Sequence, residues 1–512
     1  MRQDFCDCLA GKMPCADICI PKRGRNPVNK TYLKKVILAC LVCLMAFFGL
    51  WYVAAGEGLY YQITRSAAPP SPMQSTAELI PTDVIIQPMV FEGKTMESVT
   101  VQVNTFGHRC TGVLGVDVFD GETLIGRKYT PLSELSQDGM LTVTFDEPVA
   151  TPGTPNPIFC VLYTPEAVAG QNIGLYYGNA TVLSRGELPK NYLDTEKAVK
   201  NQVLMDGALC LQGETMLPRA FGSYFWVLAG AVVLLAGLYG WYLCRCFAVG
   251  KSALGLRLLD ATVRYRFLAK QLVKRDFKTK YKRSFLGVLW SFLNPLLMMG
   301  VQYIVFSTLF KSAIPNFGLY LLIGIVCFNF FSEACSMGLM SILGNAHLIT
   351  KVYVPKYIYP FTRVLSSCIN LGLSLIPIFL AMLLSKVSWT AAILLLPYGL
   401  LCLFFISLGM ALLLSSLMVF FRDTQFLWGI VNMLWLYLTP IFYPESIIVE
   451  ELMGLYQLNP LYHILKFTRA ILMEGTVPAP ETFLYCGLAA LLFFGLGALV
   501  FKKSQDRFIL YI

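Results

Sequence analysis

The sequence predicts a polytopic α-helical membrane protein of about eight spans, with an inserted extracytoplasmic β-sandwich domain. Three observations lead there. Of 512 residues, 56% are hydrophobic and 14% charged, with mean hydropathy +0.60, whereas soluble domains carry about 25% charged residues. Eight apolar stretches approach the ~20 residues a helix needs to cross a bilayer: residues 36–55, 223–243, 287–309, 317–343, 361–385, 390–419, 425–443 and 482–501. Charge is also segregated: residues 57–221 hold 10 basic and 18 acidic side chains, leaving the rest of the chain at net +18. A disordered chain, a secreted disulfide scaffold and a soluble enzyme are excluded.

Orientation follows from the bias of Lys and Arg toward cytoplasmic connections. With the N-terminus inside, the inner segments carry 26 basic residues, whereas the short outer loops carry only Lys311, Lys386, Lys466 and Arg469. Both termini are therefore expected in the cytoplasm and the acidic insert outside. Residues 1–35 read as a basic, cysteine-containing cytoplasmic tail, and 36–55 as a retained first anchor, since no small-x-small cleavage site follows Trp51-Tyr52. Cys6, Cys8, Cys15 and Cys19 in that tail have a density that can hold zinc, but their spacing matches no established zinc pattern, and a reduced tail is the alternative.

Residues 56–222 are expected to be the β-sandwich with its linkers. Val99–Val103 and Leu141–Phe145 alternate with period two, as half-buried strands do. Asp120-Gly121 separates the runs Gly115–Phe119 and Glu122–Tyr129 and signals a hairpin. Ile158–Tyr163 and Ile173–Tyr177 add strands, making about seven. Residues 56–79, with Pro69-Pro70-Ser71-Pro72, read as a linker, and 186–221 as helix or irregular chain returning to the second span, 223–243. Phe106, His108, Tyr176 and Tyr177 offer either a carbohydrate-binding surface or ordinary sandwich core. Cys110, Cys160 and Cys210 leave open one bridge plus one free thiol.

Enzymatic motifs are absent. Gly250-Lys251-Ser252 has the ending of a phosphate-binding loop, but Arg245 stands where the first glycine is required. No H-E-x-x-H, G-x-S-x-G or paired-carboxylate arrangement occurs, and His108, His347 and His463 are scattered. No catalytic or metal site is expected.

Residues 244–286 carry the first informative pattern. Leu259, Val263, Phe267, Leu268, Leu272, Val273, Phe277 and Tyr281 recur at helical spacing among nine cations, as in a basic amphipathic helix lying on the inner leaflet. That helix is either a plain positive-inside anchor or the receiver of an anionic lipid head group. Residues 445–480 are apolar yet too short in each half to span, and Asn459-Pro460 breaks them; two short re-entrant helices fit. Glu333 lies inside a span, where an ionisable group is costly, and faces either a pathway or a neighbouring helix.

The run Arg275-Asp276-Phe277-Lys278-Thr279-Lys280-Tyr281-Lys282-Arg283-Ser284-Phe285-Leu286-Gly287-Val288-Leu289-Trp290, then Asn294-Pro295, resembles the start of the type-2 ABC exporter permeases that move polysaccharides, O-antigens and teichoic acids. Asn345–Lys356 resembles the family's cytoplasmic loop after its second span. Phe421-Arg422-Asp423 with Thr439–Pro444, and Asn459-Pro460-Leu461 through Arg469 and Gly475, resemble its later elements. The resemblance covers residues 257–512 and says nothing about 1–250.

The resemblance implies a six-span permease core at 287–512 with an outer re-entrant segment at 445–480. It implies no cofactor in this chain, with ATP and Mg held by a separate ABC ATPase. The expected unit is a homodimer with two copies of that ATPase in a bacterial cytoplasmic (inner) membrane, working in cell envelope biogenesis. The expected cargo is a lipid-linked glycan; the remaining partners are membrane lipids, without nucleic acid. A head group would enter at Arg275, Lys278, Lys282 and Arg283. The pathway candidates are Trp290, Glu333, Phe426, Trp428 and Trp435, and the ATPase-coupling candidates His347, Lys351, Tyr353, Pro355 and Lys356. Competing readings are efflux of a small hydrophobic compound or lipid, and a non-transporting glycan receptor or assembly protein.

Overall fold

The computed structural model describes residues 29–511 except 66–71, 73, 90, 92–94, 109, 122, 136–138, 152–157, 167–170, 179–198, 201–202, 205–207, 283–285, 310–315, 352–353, 386, 388, 446–447 and 449. The cysteine cluster of the tail lies outside the described residues. The chain divides into two compact units, one of residues 57–223 and one of the remaining chain on either side of it.

The smaller unit is a two-sheet β structure. Its strands are β1 (Tyr61–Arg65), β2 (Gln74–Ser75), β3 (Val84–Met89), β4 (Thr95–Asn104), β5 (Val113–Asp120), β6 (Thr123–Pro131), β7 (Met140–Ala150), β8 (Ile158–Tyr163), β9 (Gly174–Gly178), β10 (Val199–Lys200), β11 (Val203–Leu204), β12 (Ala208–Leu209) and β13 (Leu211–Pro218). One sheet runs β1-β13-β4-β9-β12, with β2 on β9 and β7 on β4; the other runs β11-β10-β3-β8-β5-β6. Alternation puts Val99, Val101 and Val103 of β4 and Leu141 and Val143 of β7 into one core with Leu114, Val116 and Val118 of β5. The β5–β6 hairpin closes where expected, pairing Asp120 with Thr123 across a turn whose Gly121 has φ +58°, a left-handed backbone that glycine adopts without cost.

Two expectations are corrected here. The predicted linker 56–79 contains β1, and the 186–221 segment, expected as helix or irregular chain, ends in β13, which pairs with both β1 and β4. The alternation of β13 is masked because Gly213 and Thr215 occupy inward positions. A Cβ on Gly213 would meet Met96 Sδ at 2.8 Å, and Thr215, wholly buried, bonds Thr95 Oγ1 through its hydroxyl at 3.2 Å.

Cys110, Cys160 and Cys210 are not joined in disulfides among the described residues. Burial pushes the Cys160 thiol up to about 12 and that of Cys210 up to about 11. A raised thiol pKa means the neutral, unreactive form at physiological pH. Maleimide at pH 7.5 is therefore expected to leave Cys160 unmodified in the folded chain and to label it after denaturation. Mass spectrometry of the labelled peptides reads this, and labelling of native Cys160 would contradict the packing.

The larger unit is helical: α1 (Lys30–Ala55), α2 (Ala220–Val249), α3 (Leu254–Tyr281), α4 (Trp290–Leu309), α5 (Phe317–Leu339), α6 (Ala346–Lys351), α7 (Ile358–Leu384), α8 (Leu396–Phe420), α9 (Thr424–Tyr437), α10 (Glu450–Gln457), α11 (Pro460–Arg469), α12 (Pro480–Ser504) and α13 (Phe508–Tyr511). Among the described residues seven helices are long and apolar enough to cross a membrane, at α1, α2, α4, α5, α7, α8 and α12. The predicted span 425–443 is shorter than expected: α9 has 14 residues and reaches about 21 Å at 1.5 Å per residue. The chain from 438 to 444 is not helical, because Pro440 and Pro444 lack the amide hydrogen a helix needs.

α5 and α8 are buried on most sides, whereas α1 and α4 are largely exposed. Glycines set the closest approach: a Cβ on Gly497 of α12 would lie 2.0 Å from the Gly409 carbonyl oxygen of α8. α1 packs beside α8 and α12, with Trp51 stacked on Phe483 at 4.1 Å and Phe47 on Tyr398 at 5.4 Å.

Candidate functional site

The helix α3 has the expected cationic surface, with Lys278 exposed on it and Lys282 exposed at its C-cap. Its buried positions are Leu272 and Asp276, four residues apart and so on one helical face. That face packs against α7. Asp276 Oδ1 forms an ion pair with Arg363 Nη1 of α7 at 3.1 Å and accepts from Arg275 Nη2 at 3.2 Å. Arg275 also donates through Nη2 to Asn345 Oδ1 at 3.1 Å, and Asn345 Nδ2 donates to the Ser341 carbonyl at 2.7 Å. Of the four predicted entrance residues, then, Lys278 and Lys282 present free surface, Arg275 works as a tether to the residue preceding α6, and Arg283 lies outside the described residues.

Glu333 of α5 is not an isolated carboxylate. Its Oε1 accepts from Lys280 Nζ at 2.8 Å and from Asn370 Nδ2 at 2.7 Å. Ser367 Oγ adds a longer bond at 3.4 Å. Tyr281 OH donates to Asn370 Oδ1 at 2.9 Å and bonds Ser291 Oγ at the start of α4. The network therefore joins the end of α3 to α4, α5 and α7. An opposite charge and several donors offset the cost of holding a carboxylate there.

The five pathway candidates do not converge. Trp428 is buried, donating through Nε1 to Ser336 Oγ at 3.1 Å. Trp435 donates to Asn459 Oδ1 at 2.8 Å, its ring 5.1 Å from Phe331. Trp290 and Phe426 point outward and are exposed. Glu333, Trp428 and Trp435 thus share contact with α5, and the other two lie on the exposed faces of α4 and α9.

At the coupling candidates, α6 is a six-residue helix presenting His347 and Lys351 to solvent. Pro355 is half-buried beyond it. Lys356 turns inward, its ammonium bonding the Gln505 carbonyl and lying 5.8 Å from the Phe508 ring. Tyr353 lies outside the described residues.

The segment expected to be re-entrant folds as two short helices, α10 and α11, separated at Asn459-Pro460. The non-helical stretch 438–444 leaves backbone carbonyls without helical partners, and side chains meet those of Leu438, Pro440, Ile441 and Tyr443. Asn459 donates to the Leu438 carbonyl at 3.2 Å and to Thr439 Oγ1 at 2.9 Å, and caps α11 at Leu461 N. Arg469, only 9% exposed, donates to the Pro440 carbonyl at 2.7 Å, and its guanidinium lies 3.5 Å from the Tyr320 ring centre. Tyr320 OH donates to the Tyr443 carbonyl at 2.7 Å.

The sequence reading singled out neither Asp276–Arg363 nor Asn345 and Asn370. The available signal was one of two acids within the cationic helix, the other being Asp260, and an arginine within a span. Replacing Arg363 by leucine leaves Asp276, whose side chain is 4% exposed, with Arg275 as its remaining cation, so the cost stays below the roughly 3 kcal/mol of a fully broken buried pair. The expected result is a lower melting temperature in detergent, largely restored when Asp276→Asn is added. An unrestored double variant would remove the ion pair as the cause.

Residues 268–473 match the family model described as ABC-2 type transporter. The chain is 30% identical over 256 residues to the O-antigen export system permease protein RfbA of Myxococcus xanthus, covering 49% of this chain and 98% of that one. Two proteins of the same description from Klebsiella pneumoniae are 30% identical over 247 and 243 residues, each alignment covering 46% of this chain and 92% of theirs.

Proposed function

The chain belongs to the ABC-2 type transporter family, and on that premise we propose that it is the membrane permease of an ATP-driven exporter of lipid-linked polysaccharide. It is a permease and not an enzyme; ATP hydrolysis belongs to a separate ABC ATPase subunit. The observation that carries the substrate class is the match to O-antigen export permeases across 98% of a relative's length. The working unit is two copies of this chain with two ATPases, in the cytoplasmic membrane with both termini inside.

The geometry supplies a mechanism. α6, with His347 and Lys351 outward, is the element that seats in the ATPase. Its movement reaches α3 through Asn345–Arg275, and α7 through Asp276–Arg363. Lys278 on α3 and Lys282 at its C-cap attract an anionic lipid head group. Lys280–Glu333 carries displacement of α3 into α5, where Trp428 and Trp435 pack. The exposed faces of α4 and α9, with Trp290 and Phe426, meet their copies in the partner protomer. The polymer leaves past α10 and α11.

The test is export of polymer in the native host with ATPase co-purification as a second readout. His347→Ala with Lys351→Ala is expected to lose the ATPase and export together. Arg275→Ala is expected to keep the ATPase bound while export falls. Undiminished export in the first variant would overturn the coupling assignment, and unchanged surface polysaccharide in a deletion strain would overturn the cargo.

A further inference from the structure

The β unit carries a cleft that the aromatics picked out in the sequence do not line. Of those, Tyr177 donates to Gln74 Oε1 at 2.6 Å and packs partly against the core, while Phe106 and His108 stack on a turn 6.1 Å apart. The cleft lies instead where β6, the last strand of one sheet, runs beside β7 of the other. Its volume is about 540 Å³, and Lys128, Tyr129, Glu134, Thr142, Thr144 and Asp146 contribute to its walls. Specific small-molecule sites fall within roughly 300–1,000 Å³.

The wall is built rather than incidental. Strand alternation turns Leu141, Val143 and Phe145 inward and leaves Thr142, Thr144 and Asp146 as an outward polar row. Tyr129 is 45% exposed, yet its hydroxyl bonds Tyr163 OH at 2.9 Å. Tyr163 OH in turn donates to Asp117 Oδ1 at 3.3 Å, and Arg127 grips Asp117 through two bonds of 2.8 and 2.6 Å. Gly115 makes room for both rings, since a Cβ there would stand 2.7 Å from Tyr163 Cζ and 3.1 Å from Tyr129 Cε1. A buried carboxylate with its bidentate arginine thus holds an exposed aromatic face in one orientation. Lys128 and Asp146, both on the cleft wall, form an ion pair.

The chemistry selects the ligand. One ammonium, two carboxylates and two threonine hydroxyls offer both donors and acceptors at nearly neutral charge, beside one aromatic face. Two carboxylates disfavour a phosphate or other dense anion, and the lining is too polar for an acyl chain. Among the described residues no cluster suits a metal ion. We propose that this cleft binds a short, uncharged saccharide stretch of the polymer the protein exports. The identity of that polymer rests on the exporter reading above.

The test uses the full chain in lipid nanodiscs. The probe is the oligosaccharide mixture released by mild acid from the host's surface polysaccharide, followed by saturation-transfer NMR and titration. Wild type is expected to bind. Tyr129→Ala and Glu134→Gln are each expected to weaken binding by about tenfold, and Tyr129→Phe, which keeps the ring, to bind within about threefold of wild type. Should Tyr129→Ala misfold, Glu134→Gln decides. No saturation transfer to wild type, or wild-type affinity in Glu134→Gln, overturns the cleft. Export measured in parallel separates the two readings: export without binding removes the saccharide site alone, and binding without export removes the exporter reading alone.

Discussion

Arg469→Leu is expected to abolish export while leaving the chain inserted in the membrane. The reason is the backbone between α9 and α10. Residues 438–444 are non-helical, so their carbonyls lack helical partners. Arg469 answers three backbone carbonyls, Pro440 at 2.7 Å and, more weakly, Ile441 at 3.4 Å and Tyr320 at 3.5 Å. Each buried acceptor left unpaired costs about 1–3 kcal/mol, and the guanidinium's contact with the Tyr320 ring is lost as well. The loss is local, because the long spans keep their own hydrogen bonds. Lysine retains the charge but not the planar fork, so Arg469→Lys should fall between wild type and leucine. Protease accessibility of residues 445–480, read beside surface polysaccharide, checks this; wild-type export with Arg469→Leu would show that the clamp is dispensable.

This arginine also marks what sequence reasoning could and could not reach. Apolar runs announce long spans because lipid leaves a helix no other way to satisfy its backbone, and all but one of the predicted spans appear as long helices. The exception, α9, ends where Thr439-Pro440 interrupts it, and the interruption works only because Arg469 and Asn459, some 20–30 residues later, fill the vacated hydrogen bonds. Such compensation is tertiary, and no local window contains it. The β unit shows the same divide. The β5–β6 hairpin is legible from Asp120-Gly121 and its flanking alternation. β13 is not, since Gly213 and Thr215 face a core whose walls come from Met89 and Met96. The cations of α3 were visible as a group. Which of them, such as Lys280 and Arg275, tie α3 to other parts of the chain, and which, such as Lys278, face solvent alone, depends on the tertiary neighbours Glu333 and Asn345.

Gly497→Ala should cost the protein its fold, and Gly495→Ala should not. The two lie on the same helix, two residues apart, and differ only in what they face. A Cβ on Gly497 would sit 2.0 Å from the Gly409 carbonyl oxygen and 2.7 Å from its carbonyl carbon, and one on Gly409 would sit 2.2 Å from the Phe493 carbonyl oxygen. These are backbone atoms of two packed spans and cannot turn aside as a side chain can. Inside a membrane there is little hydrophobic force to push helices together, so close backbone approach at small residues supplies much of the association. Separating α8 from α12 by the width of one methyl group forfeits that contact along the seam, and overpacking of this kind costs about 1–3 kcal/mol or more. Gly495 has nothing within 4 Å of a Cβ, so alanine there gains about 1 kcal/mol of helix propensity. Fluorescence-detected size exclusion of tagged chains, with a thermal ramp, distinguishes the pair. The expected order is Gly495→Ala at or above wild type and Gly497→Ala well below it, and Gly497→Val below that. Equal behaviour of the two alanine variants would mean that the α8–α12 seam is looser than this geometry requires, and that another contact holds the two spans together.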